Sequence, residues 1–258
     1  MTILPTPPAL KTKPPPFQPN VNQLIELLPR KDRLRLLALC EPFELNLEDV
    51  LCEPGKPVSH VYFPTSGFVS LIAQIDGSPG VEVGMAGREG MLGAQLALGV
   101  STAPLRALVQ GAGTSWRITA KAFKAELARN TPLQTALNRY VYVLMAQLAE
   151  SIACVRFHQI GPRLARWLLM SQDRSSADTF IVTQEFLSYM LGVRRAGITA
   201  AAGALQKAGL IQYQRGRLTV INRFGLQHAA CGCYAADQKS YSTLLSGGVR
   251  PPKPSHNT

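Results

Sequence analysis

The sequence is short of acid: 16 Asp and Glu stand against 27 Lys and Arg, a formal net charge of +11 over 258 residues. Such a surface does not repel polyanions, and Lys and Arg that neutralise phosphates release condensed counterions, so nucleic acid is the first partner class and an anionic membrane surface the second. A run of about twenty apolar residues is also lacking, because Gln147, Glu150 and Ser151 interrupt the most apolar stretch, so no membrane span is expected. The opening segment MTILPTPPALKTKPPPFQPN has no apolar signal-peptide core, so a cytoplasmic location is expected. Cysteines are few and odd in number, five, which without an export signal argues against a disulfide framework and for free thiols. There is no P-loop, GxSxG, HExxH or Cys-x-x-Cys, and an enzyme is not expected.

What is present divides into modules. Residues 1–20 are dense in Pro with no periodic apolar pattern, and residues 246–258 are similar; neither buries enough surface to offset the entropy of ordering, so both are expected to be disordered. From about residue 21, apolar residues recur at helical spacing and break at Pro29, giving two short helices. After Pro42 come short runs such as VSHVYFP and FVSLIAQI, rich in β-branched and aromatic residues and punctuated by Pro54-Gly55 and Ser66-Gly67. Short strands at this spacing indicate a small antiparallel roll or barrel ending near Ile118, within a first domain over residues 21–130.

A long helix is expected over about residues 131–158. Leu137, Val141, Leu144, Leu148, Ser151, Val155 and His158 alternate steps of four and three, the spacing of a coiled-coil seam, so Leu137, Val141, Leu144 and Leu148 are the expected dimerisation residues. A lone amphipathic helix packed on its own domain is the other reading of the same period.

Residues 159–245 alternate helix signals with one hairpin. IGPRLARWLLMSQDR begins a helix near Pro162, Thr183 is placed to cap a helix ending at Gly192, and a second helix runs from about Arg195 to Ala208 before Gly209. LIQYQRGRLTVIN then forms two strands joined at Arg215-Gly216. Helix, short turn, helix, hairpin is the order of a winged helix-turn-helix. Phe186, Leu187, Met190 and Leu191 supply the inner face of the first helix, and Ile198, Ala201 and Leu205 that of the second. The outer face of the second helix presents Arg195 and Thr199 near its start, next to Arg194. There an Arg fork can take guanine, and Thr can bond a base or pack on a thymine methyl. Arg215 and Arg217 at the wing tip suit phosphate contact, with ordinary surface charge an equal alternative; Arg163 and Arg166 are weaker backbone-contact candidates.

With these motifs the sequence resembles the Crp/Fnr family of bacterial transcription regulators, in particular a Crp-like branch with LGVRRAG in the turn. The resemblance runs from about residue 22 to 245 through the Pro-Gly turn, YFPTSG, GREGMLG, RLARWLLM, the turn itself, GLI with the wing, and CGCY. It implies an α+β chain with a cyclic-nucleotide-binding-like jelly roll as sensor, a dimerisation helix and a major-groove reader. The partners it implies are double-stranded DNA, a second copy of the chain and RNA polymerase, with no membrane. Arg195 sits at the family's base-contacting Arg, but Ala196 and Ala200 replace an acidic neighbour and a later Arg, so a different half-site is expected.

Relatives that bind cyclic nucleotides hold the ribose with Gly-Glu and the phosphate with a following Arg. Here Gly93-Ala94 lacks the acid and Arg106 is one place out of register, so cyclic AMP is not expected and the effector is unassigned. Cys40 and Cys52 are isolated, unlike the N-terminal cysteines of iron-sulfur relatives, and neither His60 nor His158 is singled out as a haem ligand. His228, Cys231 and Cys233 lie close in sequence, but on one helix Cys231 and Cys233 would point apart, so no metal site is assigned. The competing function is a small-ligand, cyclic-nucleotide-like binding protein whose C-terminal domain contacts protein.

Overall fold

The computed structural model describes residues 21–76, 80–175 and 177–245; the arm and tail expected at residues 1–20 and 246–258 lie outside the described residues. The chain starts with α1 (Gln23–Glu26) and α2 (Arg30–Leu37), divided at Pro29. Asn22 caps α1 by accepting from the Ile25 N–H, while its own amide donates to the Pro64 and Gly90 carbonyls at 2.9 and 2.8 Å. One side chain thus both starts the helix and fastens it to the strands that follow.

Those strands are β1 (Glu41–Leu45), β2 (Val50–Cys52), β3 (His60–Pro64), β4 (Phe68–Ala73), β5 (Val81–Ala86), β6 (Arg106–Gly111) and β7 (Gly113–Thr119), with a 3₁₀ turn at Ala94–Leu98. They form two antiparallel sheets, β1-β7-β3 and β2-β6-β4-β5. Leu45 and Tyr62 from the first meet Val69, Leu71, Ala107 and Val109 from the second in one cluster, so the sheets close on each other as a roll. Strand β4 is buried on both faces: Val69 and Leu71 face the roll interior, while Phe68 packs into the core of the C-terminal module. This explains why FVSLIA is apolar at every position but Ser70 rather than alternating.

After the roll comes α3 (Ala120–Leu127), capped by the Thr119 hydroxyl, which accepts from the Ala122 N–H at 3.3 Å. Sequence periodicity does not reveal this helix, because AKAFKAEL carries too few apolar residues to define a face. The long helix α4 (Thr131–Phe157) follows, with the Asn130 side chain accepting from the Leu133 N–H. By length and composition α4 is apolar enough to cross a membrane. Its apolar content has another account, because two of its sides are apolar and only one is covered.

The covered side carries Leu133, Leu137, Tyr140, Val143, Gln147, Ser151 and Cys154. Leu137 is 0% exposed inside the roll's core, which removes it from the expected seam, while Val141, Leu144 and Leu148 are half-buried. The open apolar side presents Tyr142 and Met145, each 63% exposed, then Ala149 and Ile152, the last 69% exposed. The three-four-three spacing survives, displaced by one residue. A helix apolar on two sides offers two stripes, and period alone does not say which one faces its own domain.

The C-terminal module contains α5 (Ile160–Ser175), β8 (Thr179–Ile181), α6 (Gln184–Met190), α7 (Arg195–Lys207), β9 (Ile211–Gln214), β10 (Arg217–Val220), α8 (Arg223–Ala229) and α9 (Cys233–Leu245). The unforeseen β8 pairs with β10, giving a three-stranded wing β8-β10-β9. Its core joins Leu164, Leu168 and Leu169 of α5 to Leu187, Ile198, Leu205, Leu218 and Leu226. Finally α9 packs back along α4, setting Leu245 and Tyr241 against the roll's core.

Candidate nucleic-acid interface

The turn between α6 and α7 forms for local reasons. The Thr183 hydroxyl accepts from the Phe186 N–H at 3.0 Å and starts α6. Gly192 ends it at φ +61, a backbone region that strains L side chains. Leu187, Met190, Ile198, Ala201 and Leu205 are all buried, so the inner faces read from the sequence are the inner faces of the structure. Arg194 is the N-cap residue of α7, but its guanidinium holds only donors and so does not accept from the first N–H groups of the helix.

Arg194, Arg195 and Thr199 are exposed at the N-terminal end of α7. The Thr199 hydroxyl donates to Gln184 Oε1 at 2.7 Å and lies 3.2 Å from the Arg195 carbonyl, which braces the start of α7 against the start of α6. Gln184 was not singled out from the sequence; it is the N-terminal residue of α6, facing the second helix across the turn. Beyond Thr199 the open face of α7 carries Ala200, Gly203 and Ala204, and then Lys207. A surface this smooth lets the helix approach a groove closely and concentrates its donors at one end.

Strands β9 and β10 pair with Gln214 opposite Arg217, leaving the two-residue loop Arg215-Gly216. Both loop residues have positive φ, +50 and +78, as a type I′ hairpin turn requires. Arg215 and Arg217 are exposed at this tip. None of Arg194, Arg195, Arg215 or Arg217 has a carboxylate within ion-pair distance among the described residues. Their donors are open to an external acceptor.

Arg163 and Arg166 belong elsewhere: both are buried, Arg163 donating to the Leu191 carbonyl and Arg166 bonding Asp237 at 2.6 Å. Arg174 pairs with Glu89 of the GREG segment at 2.7 Å. Burial works against its charge, but Glu89, Tyr241 and Asp173 together more than offset it, so the Arg174 pKa lies above its ordinary value. These buried pairs tie α5 to α9 and to the roll.

Comparison with known proteins bears on the same segments. The family described as the Crp-like helix-turn-helix domain matches residues 162–229. A Eubacterium rectale protein assigned to the Crp/Fnr family of transcriptional regulators aligns in structure over 80% of this chain and 96% of its own, at 15% identity and a TM-score of 0.62. FixK2 from Bradyrhizobium japonicum covers 74% of this chain and 98% of its own, at 12% identity and a TM-score of 0.62. The c-di-GMP-responsive regulator CLP of Xanthomonas campestris covers 74% and 99%, at 18% identity and a TM-score of 0.59. No curated protein matches the sequence significantly. Residues 162–229 thus match a Crp-like helix-turn-helix domain, and the chain shares the fold of these Crp/Fnr regulators.

The stretch at residues 92–109, where the sequence lacks the Gly-Glu pair, is partly packed into the roll and partly open, with Leu98 and Val100 exposed. Ala94, Leu96 and Ala103 are buried against Val61 and Phe63 in the roll's core. Arg106 begins β6, and its Nε, itself shielded from solvent, lies 3.5 Å from the exposed Glu53 carboxylate.

Sequence reasoning also missed a convergence of cysteines. Cys231 and Cys233 do not share a helix: Cys231 and Gly232 form the turn before α9, and Cys233 is its first residue. The turn brings both thiols toward Cys154 and His158 at the end of α4, correcting the expectation that they point apart. Cys154-x-x-x-His158 and Cys231-x-Cys233 were the signals available, but 77 residues separate Cys154 from Cys231.

Proposed function

We propose that this chain is a cytoplasmic, non-enzymatic DNA-binding transcription regulator that acts as a homodimer. In this reading α7 enters the major groove, Arg194, Arg195 and Thr199 meet base edges, and Arg215 and Arg217 hold the flanking phosphates. Four exposed arginines without carboxylate partners, grouped on one helix start and one hairpin tip, carry the proposal. Dimerisation uses Tyr142, Met145, Ala149 and Ile152, whose exposed apolar surface at three-four spacing fits a second copy of α4. The roll responds to a signal other than cyclic AMP, and RNA polymerase is the partner through which binding alters transcription.

Selection of genomic fragments followed by footprinting tests this. Two protected half-sites about one helical turn apart are expected, with affinity falling steeply as salt rises. A single unsymmetrical footprint of half that length, or no retention of DNA at low salt, would refute it. Sedimentation of Met145→Glu should show a monomer where the wild type is a dimer; a wild type that stays monomeric at micromolar concentration removes the dimer from the proposal. Cyclic AMP should leave the melting temperature unchanged, because a ligand held only by the folded state raises it by mass action.

A further inference from the structure

Four metal-ligating side chains converge where α4 hands over to the C-terminal module. Cys154 lies one turn before the end of α4 and His158 is its C-cap residue. From the far end of the chain, the turn between α8 and α9 brings Cys231 and Cys233, held in place as the Cys231 N–H donates to the Pro162 carbonyl at 3.3 Å. Cys154 Sγ and Cys231 Sγ are 3.5 Å apart, Cys233 Sγ and His158 Nδ1 are 3.6 Å apart, and all four ligand atoms lie within 4.8 Å of one another. The three cysteines are buried as a cluster of their own, and His158 is the more exposed member.

We infer that Cys154, His158, Cys231 and Cys233 form a four-coordinate site for a zinc ion that staples the end of α4 to the connection between α8 and α9. Tetrahedral zinc, with bonds of about 2.3 Å to sulfur and 2.0–2.1 Å to nitrogen, sets sulfur–sulfur edges near ~3.8 Å and sulfur–nitrogen edges near ~3.6 Å. The two shortest pairs already lie close to that spacing, and the widest must close by about an ångström. Three thiolates and an imidazole are a borderline-soft donor set that suits zinc rather than magnesium or calcium. Binding expels the thiol protons to solvent, and Arg166 is placed to offset the surplus negative charge.

With all four positions taken by protein, the ion has no open coordination site and its role is to fix geometry. Helix α5 begins at Ile160, two residues after His158, so the staple spans the joint that sets how α7 is presented relative to α4. Loss of the ion to a chelator frees that joint. The metal site stands on its own geometry; its effect on DNA binding rests on the function proposed above.

The test is titration of the reduced, metal-free full chain with cobalt(II), whose thiolate charge-transfer and ligand-field absorption report four-coordinate sulfur ligation. One cobalt per chain is expected, displaced by one zinc, with the signal lost in Cys154→Ser and Cys233→Ser and kept in Cys40→Ser and Cys52→Ser. Should the serine variants fail to fold, His158→Ala keeps the charge-transfer band and alters the ligand-field bands. A folded wild type without thiolate–cobalt absorption at stoichiometric metal, or a signal that survives Cys154→Ser, overturns the site. Zinc-loaded protein should bind its selected DNA at least tenfold more tightly than the metal-free form. Equal affinity with a formed site overturns the staple's regulatory role, whereas a formed site with no DNA binding in either state counts against the proposed function alone.

Discussion

The C-terminal module carries eight arginines, and they divide into two groups of four with opposite uses. Arg194, Arg195, Arg215 and Arg217 are exposed with no carboxylate beside them. Arg163, Arg166, Arg174 and Arg223 are turned inward: Arg166 bonds Asp237, Arg174 bonds Glu89, Arg163 takes a backbone carbonyl, and Arg223 reaches Asp173 and Tyr234. The same guanidinium reads an external anion or cements helix to helix according to whether the fold supplies an acceptor. The count of 27 Lys and Arg therefore overstates the cations that DNA would meet, since some of them are held by acceptors of the fold itself.

That division is breakable by mutation, and the buried group has the larger effects. Arg174→Ala leaves the half-buried Glu89 without its partner and should cost about 3 kcal/mol of stability, the low end for a broken buried pair, in urea denaturation. The folded fraction should still bind DNA at low salt. If Arg174→Ala left stability unchanged and abolished binding, Arg174 would belong with the exposed group.

Next in size is Glu82, on the β5 face toward the same arginines. The Ser70 hydroxyl donates to it at 2.6 Å. Burial pushes its carboxyl up to about 7 from 4.5, against the opposing pull of the Ser70 hydrogen bond and of Arg174 and Arg166. Because the folded value lies above the unfolded one, ionisation penalises the folded state. This contribution is most favourable below about 4.5, declines as pH rises toward about 7 and then levels off. Glu82→Gln should therefore match the wild type at pH 5 more closely than at pH 8, where it should be more stable by up to about 3 kcal/mol. A stability difference independent of pH would show that the carboxyl is ionised throughout.

The wing arginines should show the smallest effect. Arg215→Ala and Arg217→Ala should each lower the slope of log affinity against log salt by about 0.9, equally for selected and random DNA, with melting temperature unchanged. An unchanged slope would make them ordinary surface charge.

Much of this was legible because its causes are local. Thr183 caps α6, Gly192 makes the turn, and Gly209 follows α7, each within a few residues of what it controls. The two sheets of the roll follow from short apolar runs punctuated by Pro and Gly. What was not legible depends on distant partners. Leu137 was expected on an open face of α4 but is claimed by the roll, a fact no helical period contains. Strand β8 is three residues long and exists through its pairing with β10. The inward roles of Arg163 and Arg166 require Leu191 and Asp237, and the thiol cluster requires two segments far apart in sequence.

Arg195 offers the most direct test of the claim that α7 reads bases. Binding of wild type and Arg195→Ala should be measured on the selected operator, on single-base variants of it and on random DNA at fixed salt. Arg195→Ala is expected to lose about 1–3 kcal/mol on the operator, relax preference at one base pair of each half-site and retain its affinity for random DNA. Equal loss on operator and random DNA, with base preference unchanged at every position, would make Arg195 a phosphate contact and contradict the placement of α7.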